Sequence, residues 1–269
     1  MKYTEQPYTG LGHLEKLRLS ALLRDTQGTA SVEEAARIWD VPRSRAAKLL
    51  SLYTRKGWLM RISQGIYISV PITSARSIVV PEDPLVIAQK LYTPCYIAGW
   101  SAAEYWDMTE QIFRTVVVVT QKQQRNYRPT IAGTHYLLHV TKPSRFFGLS
   151  TQWSNNIKIQ ISDPTRTVID LMLNPDIGGG IQSSTDIFKT YMQSKEKSIE
   201  KLVEYLGLLN VGSAYKRIGF LTEKFFPNEK ILIEICKKSL SSGNAKLDVK
   251  MACPFLITKW RLWVPENWK

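Results

Sequence analysis

Acidic residues are missing from one long stretch of this chain. Residues 111–162 hold seven basic side chains (Arg114, Lys122, Arg125, Arg128, Lys142, Arg145 and Lys158) and no Asp or Glu. Other scarcities exclude whole classes of protein. The three cysteines, Cys95, Cys236 and Cys253, stand far apart and make neither a CxxC motif nor a disulfide framework, which fits reduced thiols in a cytoplasm. No run of 18 apolar residues exists to span a membrane. Residues 1–7 lack the apolar core of a signal peptide. Of only three histidines, His135 and His139 are four apart but sit in a strand-like context without Cys or carboxylate neighbours, and His13 lies far away. No nucleophile elbow, kinase signature, P-loop or carboxylate cluster for two-metal chemistry is present. The expectation is a non-enzyme with no catalytic residue, no metal and no cofactor.

What is present is a surplus of positive charge on an ordinary globular composition. The 269 residues contain 36 Lys and Arg against 23 Asp and Glu, a net charge of +13. Such a surplus points to a polyanionic partner, most often nucleic acid. It is unevenly spread: residues 1–75 carry a net +5, 76–110 a net −3, 111–162 a net +7, and 163–269 a net +4.

The first 75 residues read as a winged helix-turn-helix. Leu11, Leu14, Leu17, Ala21 and Leu22 are spaced for an amphipathic helix that stops at Gln27, Gly28 and Thr29. Ser31 and Glu34 form a capping box at the head of a second helix whose inward face is Val32, Ala35, Ala36 and Trp39. After Asp40 and Val41, Pro42 suits the first turn of a third helix over 43–56, which Gly57 terminates. On that helix Ala46, Leu49, Leu50 and Tyr53 share one side, and Ser44, Lys48, Ser51 and Arg55 the other, with Arg45 on the flank. Short hydroxyl side chains among long cations let a helix approach base edges and phosphates closely. Two β-rich runs, 58–63 and 66–70, follow around Gln64 and Gly65 as a hairpin, the wing. The candidate DNA-binding residues are Arg43, Ser44, Arg45, Lys48, Ser51, Arg55, Lys56, Arg61 and Gln64.

Residues 76–269 read as a second, larger domain of mixed α/β character with a helical part, so the fold class is α+β. A proline-punctuated connector over 70–84 precedes a short helix capped by Asp83, and 96–100 reads as a buried edge. Ser101 and Glu104 make a second capping box. Strands are expected at 114–120, 135–140, 157–161 and 260–265, and helices through most of 164–238. Asp163 and Pro164 open a helix in which Arg166 and Asp170 are spaced for an i,i+4 ion pair. These two, with Lys216 and Arg217, are the candidate partner-binding residues, helix initiation being the plainer account of the first pair. Gly178, Gly179 and Gly180 read as a flexible joint.

Several of these segments, in this order, resemble one family. They are Ala35-Ala36, residues 44–50, Lys56-Gly57-Trp58-Leu59, Gly65-Ile66-Tyr67, residues 96–106, residues 109–111, residues 162–170, Gly178-Gly179-Gly180-Ile181 and Lys216-Arg217-Ile218-Gly219. Together they resemble the AbiEi antitoxins of the abortive-infection type IV toxin–antitoxin systems, over about residues 11–265. The resemblance implies a non-enzymatic cytoplasmic bacterial protein for phage defence. Its winged helix would bind inverted repeats in double-stranded promoter DNA and repress its own operon. Its larger domain would counteract a cognate nucleotidyltransferase toxin, directly or functionally. The alternatives are a plain winged-helix regulator with a ligand- or partner-sensing domain, and a DNA-targeted nucleic-acid-processing enzyme.

Overall fold

The computed structural model describes residues 10–26, 28–70, 83–154 and 157–269. The expected domain border at residue 75, most of the proline-punctuated connector and residues 1–7 lie outside the described residues. Contacts divide the chain into two compact units. The smaller comprises Met1–Thr93, Arg128–Tyr136 and Trp153–Ile159, and the larger comprises Pro94–Tyr127, Leu137–Gln152 and Gln160–Lys269.

In the smaller unit the elements follow as α1 (His13–Thr26), β1 (Thr29–Ser31), α2 (Val32–Ile38), α3 (Arg43–Arg55), β2 (Leu59–Ser63) and β3 (Ile66–Ser69), the order of a winged helix-turn-helix. The capping box forms as the sequence predicts: the Glu34 N–H donates to Ser31 Oγ at 3.1 Å and the Ser31 N–H to Glu34 Oε2 at 2.7 Å. Pro42 stands at the N-cap of α3 and not inside its first turn. At the far end Gly57 adopts a left-handed φ of 81°, and the Trp58 N–H reaches back to the Tyr53 carbonyl, the six-to-one bond of a Schellman ending. Ala46, Leu50 and Tyr53 are buried, packed with Leu19, Leu22, Val32, Ala35, Leu59 and Tyr67. The strand β1 was not legible: three residues hold no period, and only antiparallel pairing with β3 (Thr29↔Ile68) makes them a strand, giving a sheet ordered β1-β3-β2. This unit also holds α4 (Pro84–Tyr92), whose N-cap Asp83 accepts from the Leu85 N–H at 2.9 Å. From α4, Lys90 donates to the Thr29 carbonyl and lies 3.4 Å from Glu34.

The larger unit is built on β4 (Cys95–Ile97), α5 (Gly99–Tyr105) and β5 (Thr115–Thr120). The short strand β6 (Thr130–Ile131) pairs with the start of β7 (Thr134–Val140), and β8 (Leu149–Ser154) and β9 (Ile157–Ser162) complete the strands of this region. In the larger unit they run in the order β7-β5-β4-β9-β8, β4 being antiparallel to β5 and parallel to β9. The segment expected as an edge is therefore interior, in keeping with its fully buried Tyr96, Ile97 and Ala98. Nor does Ser101 cap a helix. The helix begins two residues earlier, and Ser101 Oγ accepts instead from the Val117 N–H at 3.0 Å.

The helices α6 (Pro164–Leu173), α7 (Ile181–Gln193), α8 (Ile199–Leu209), α9 (Gly212–Phe225) and α10 (Lys230–Lys238) follow. A small sheet of β10 (Ala245–Lys246), β11 (Phe255–Ile257) and β12 (Leu262–Val264), ordered β10-β12-β11, completes the chain. The helices α6 and α9 are buried over nine successive residues each. The three glycines at 178–180 are not a flexible joint. They close one turn of 3₁₀ helix, and a Cβ on Gly178 would meet Ser184 Oγ at 2.2 Å. Among the described residues no helix is long and apolar enough to cross a membrane. Among the described residues Cys95, Cys236 and Cys253 form no disulfide, and burial pushes the Cys236 thiol up to about 12.

Close packing gives a test with a clear sign. Gly219 lies inside α9 against the fully buried Trp260, and a Cβ there would come within 2.1 Å of its ring. On an open helix face Gly→Ala stabilises by about 1 kcal/mol. Here overpacking outweighs that gain, and Gly219→Ala is expected to lower stability by about 1–3 kcal/mol, read from the shift in denaturant midpoint. An unchanged or raised midpoint contradicts this packing.

Candidate nucleic-acid interface

The outer face of α3 carries most of the candidate residues of the smaller unit. With Ala46, Leu50 and Tyr53 fixed inward, helical geometry turns Ser44, Arg45, Lys48, Ser51 and Arg55 outward, and all five are exposed. Among the described residues Arg45, Lys48 and Arg55 enter no ion pair, so their charge is available to an incoming anion. Arg43 is exposed too, but faces Glu33 of α2 at 2.7 Å, a pair 75% and 61% exposed. Solvated pairs of that kind are worth about 0–1 kcal/mol, and a phosphate can replace the carboxylate. In the β2–β3 hairpin Arg61 and Gln64 are exposed, Arg61 Nε donating to the Ser63 carbonyl at 3.1 Å.

Lys56 is a correction to the expected set. Its ammonium is held by both oxygens of Glu15 at 2.7 Å, with side chains only 23% and 24% exposed. It ties the end of α3 to the start of α1, and those hydrogen bonds, with one from the Gly12 N–H, hold the Glu15 carboxyl below its ordinary range. Forty-one residues separate the partners, so no local spacing announces the pair.

The four candidate partner-binding residues form no surface, because each is turned inward. Arg166 is 2% exposed. Its Nε donates to Asp170 Oδ1 at 2.9 Å, Nη2 to the Tyr96 hydroxyl at 3.1 Å, and Nη1 to the carbonyls of Arg145 and Phe147. The Tyr96 hydroxyl donates to Asp170 Oδ2 at 3.1 Å, closing a three-membered ring of bonds. Burial pushes the Asp170 carboxyl above its ordinary range against the downward pull of Arg166. The plainer account of this segment is what the structure contains: Asp163 Oδ1 accepts from the Arg166 N–H, and the i,i+4 ion pair forms. Arg217 donates to the carbonyls of Met172 and Leu173 at the end of α6 and of Lys246 and Leu247 beside β10. Lys216 donates to Ser241 Oγ at 2.8 Å and to the Gly243 carbonyl. In apolar surroundings each of these charges needs internal partners, and each finds them. Among the described residues no group of three His, Cys, Asp or Glu is placed to hold a metal ion.

The helices α1, α2 and α3, the β2–β3 hairpin and the exposed cationic face of α3 belong to the smaller unit. Residues 17–70, from α1 to just beyond β3, match the family described as the transcriptional regulator, AbiEi antitoxin. Over those residues the chain is similar to that family, and the match supports an antitoxin and regulator role. No curated protein matches the chain.

The inward reading of Arg166 predicts a definite mutational pattern. Asp170→Ala leaves a buried guanidinium without its carboxylate and is expected to cost about 3–5 kcal/mol. Replacing both partners, Arg166→Met with Asp170→Leu, is expected to recover most of that loss in chemical denaturation. A folded, fully stable Asp170→Ala protein contradicts the assignment.

Proposed function

We propose that the protein is a cytoplasmic antitoxin that represses its own operon through α3 and counteracts a nucleotidyltransferase toxin. The observation that carries the DNA half is the exposed row of Arg45, Lys48 and Arg55, unpaired among the described residues and interleaved with Ser44 and Ser51. Set into a major groove, Arg45 and Lys48 reach guanine edges, the two serines let the backbone come close, and Arg55, Arg61 and Gln64 meet the flanking backbone. The bound element is double-stranded promoter DNA with inverted repeats. Support for the antitoxin half comes from the family match and the resemblance, and the larger unit is the part of the chain assigned to it.

Fluorescence anisotropy on a promoter duplex tests the first half. Arg45→Ala and Lys48→Ala are each expected to weaken specific binding by about 1–3 kcal/mol, roughly 5- to 150-fold. A smaller and equal loss on random duplex would demote them to phosphate contacts, and no loss on either duplex overturns the reading. Co-expression tests the second half: the full chain is expected to restore growth to cells expressing the neighbouring nucleotidyltransferase. The Arg45→Ala/Lys48→Ala chain is expected to do the same from an unrelated promoter. Failure of both chains to restore growth rules out the antitoxin reading.

A further inference from the structure

The acid-free stretch acquires a shape in the larger unit. The last residue of β5 is Thr120 and that of β7 is Val140, and the two exits lie side by side: the Thr141 N–H donates to the Thr120 carbonyl at 2.9 Å. Lys122 and Lys142 each stand two residues beyond the last residue of their strand, with Arg125 and Arg145 three further on in each loop. All four are exposed, and among the described residues none enters an ion pair. Neither loop contributes an acid, and the buried Asp170, which feels Arg145, is already paired with Arg166.

The two loops are also held in place. The Lys122 N–H donates to Thr120 Oγ1 at 3.1 Å, and Lys142 begins a 3₁₀ turn in which the Arg145 N–H donates to the Lys142 carbonyl at 3.0 Å. The buried Arg166 grips the carbonyls of Arg145 and Phe147 from below. Part of the ordering cost of a cationic loop is thus met before any ligand arrives. Arg145, alone of the four, also lines a mostly apolar hollow of about 110 Å3 with Val119, Leu173 and Ile177 among its walls.

We infer that this sheet end is a second nucleic-acid contact, in which Lys122, Arg125, Lys142 and Arg145 bind the phosphodiester backbone independently of α3. Four exposed cations on two adjoining loops match the repeating charge of a phosphate backbone, and their long side chains track it without reading sequence.

The test uses the full chain carrying Arg45→Ala and Lys48→Ala, so that its outcome does not depend on operator recognition. The probes are a 30-nucleotide single-stranded RNA and a 30-base-pair duplex without operator sequence, each titrated between 50 and 200 mM salt. Four phosphate contacts give an expected salt slope of about −3.6 on duplex and about −2.8 on a single strand. Affinity should then fall roughly 150-fold and roughly 50-fold, respectively, across that range. Replacing the four cations by Gln in the same chain is expected to weaken binding at 50 mM salt by at least tenfold and flatten the slope. Loss on the RNA alone, the duplex alone or both supports the contact and identifies its ligand. Unchanged affinity and slope on both probes, or no binding by the parent chain, overturns it. A thermal melt matching that of the parent shows that the Gln variant is folded, and the milder pair Lys122→Gln/Lys142→Gln repeats the reading where it is not.

Discussion

One buried charge organises the larger unit. Arg166 sits on a helix that is buried from Pro164 to Met172, where an unsatisfied guanidinium would be prohibitive. Satisfying it draws three pieces of chain to one point: Asp170 one turn along α6, Tyr96 on the interior strand β4, and the loop beyond β7 with the carbonyls of Arg145 and Phe147. Phe147 adds its ring, whose centroid lies 4.5 Å from the guanidinium carbon. The position of β4 between β5 and β9 and the fixed path of the loop after β7 both agree with that convergence.

The smaller unit solves a different problem with the same kinds of residue. Its core is apolar, and its cations are kept outside. Alternation around α3 places Ala46, Leu50 and Tyr53 against α1 and α2, and helical geometry alone then exposes Arg45, Lys48 and Arg55. Lys56, one residue beyond the helix, serves instead as a strut to Glu15. A single position therefore separates a cation that meets solvent from one that holds the domain together.

These differences mark what was legible in the sequence. The three helices, the capping box and the wing could be read because each rests on a local period or a short-range cap, and so could the Asp163–Pro164 helix start. The outward set on α3 followed from the same period. Elements defined by a distant partner were not legible: β1 exists through β3, and β4 is interior because strands from two other parts of the chain flank it. Burial of Arg166, Lys216 and Arg217 was hidden for a related reason. Charge in a sequence suggests surface, and only the carbonyls and hydroxyls that meet these side chains, 25 to 70 residues away in most cases, reveal that they lie inside. The glycines at 178–180 misled in the same way, since Gly178 packs closely against Ser184 and Leu171 while Gly179 and Gly180 take positive φ angles.

Arg217 differs from the other buried cations in a respect with its own consequence. Every acceptor that it hydrogen-bonds is a backbone carbonyl: two at the end of α6, where the helix dipole is negative, and two beside β10. Carbonyls do not titrate, whereas the carboxylates that serve Lys56 and Arg166 do. The hydrogen bonds that tie α6 to the C-terminal sheet through Arg217 therefore keep their acceptors as pH changes, and acid reaches this joint only through the charge of the neighbouring buried Asp248.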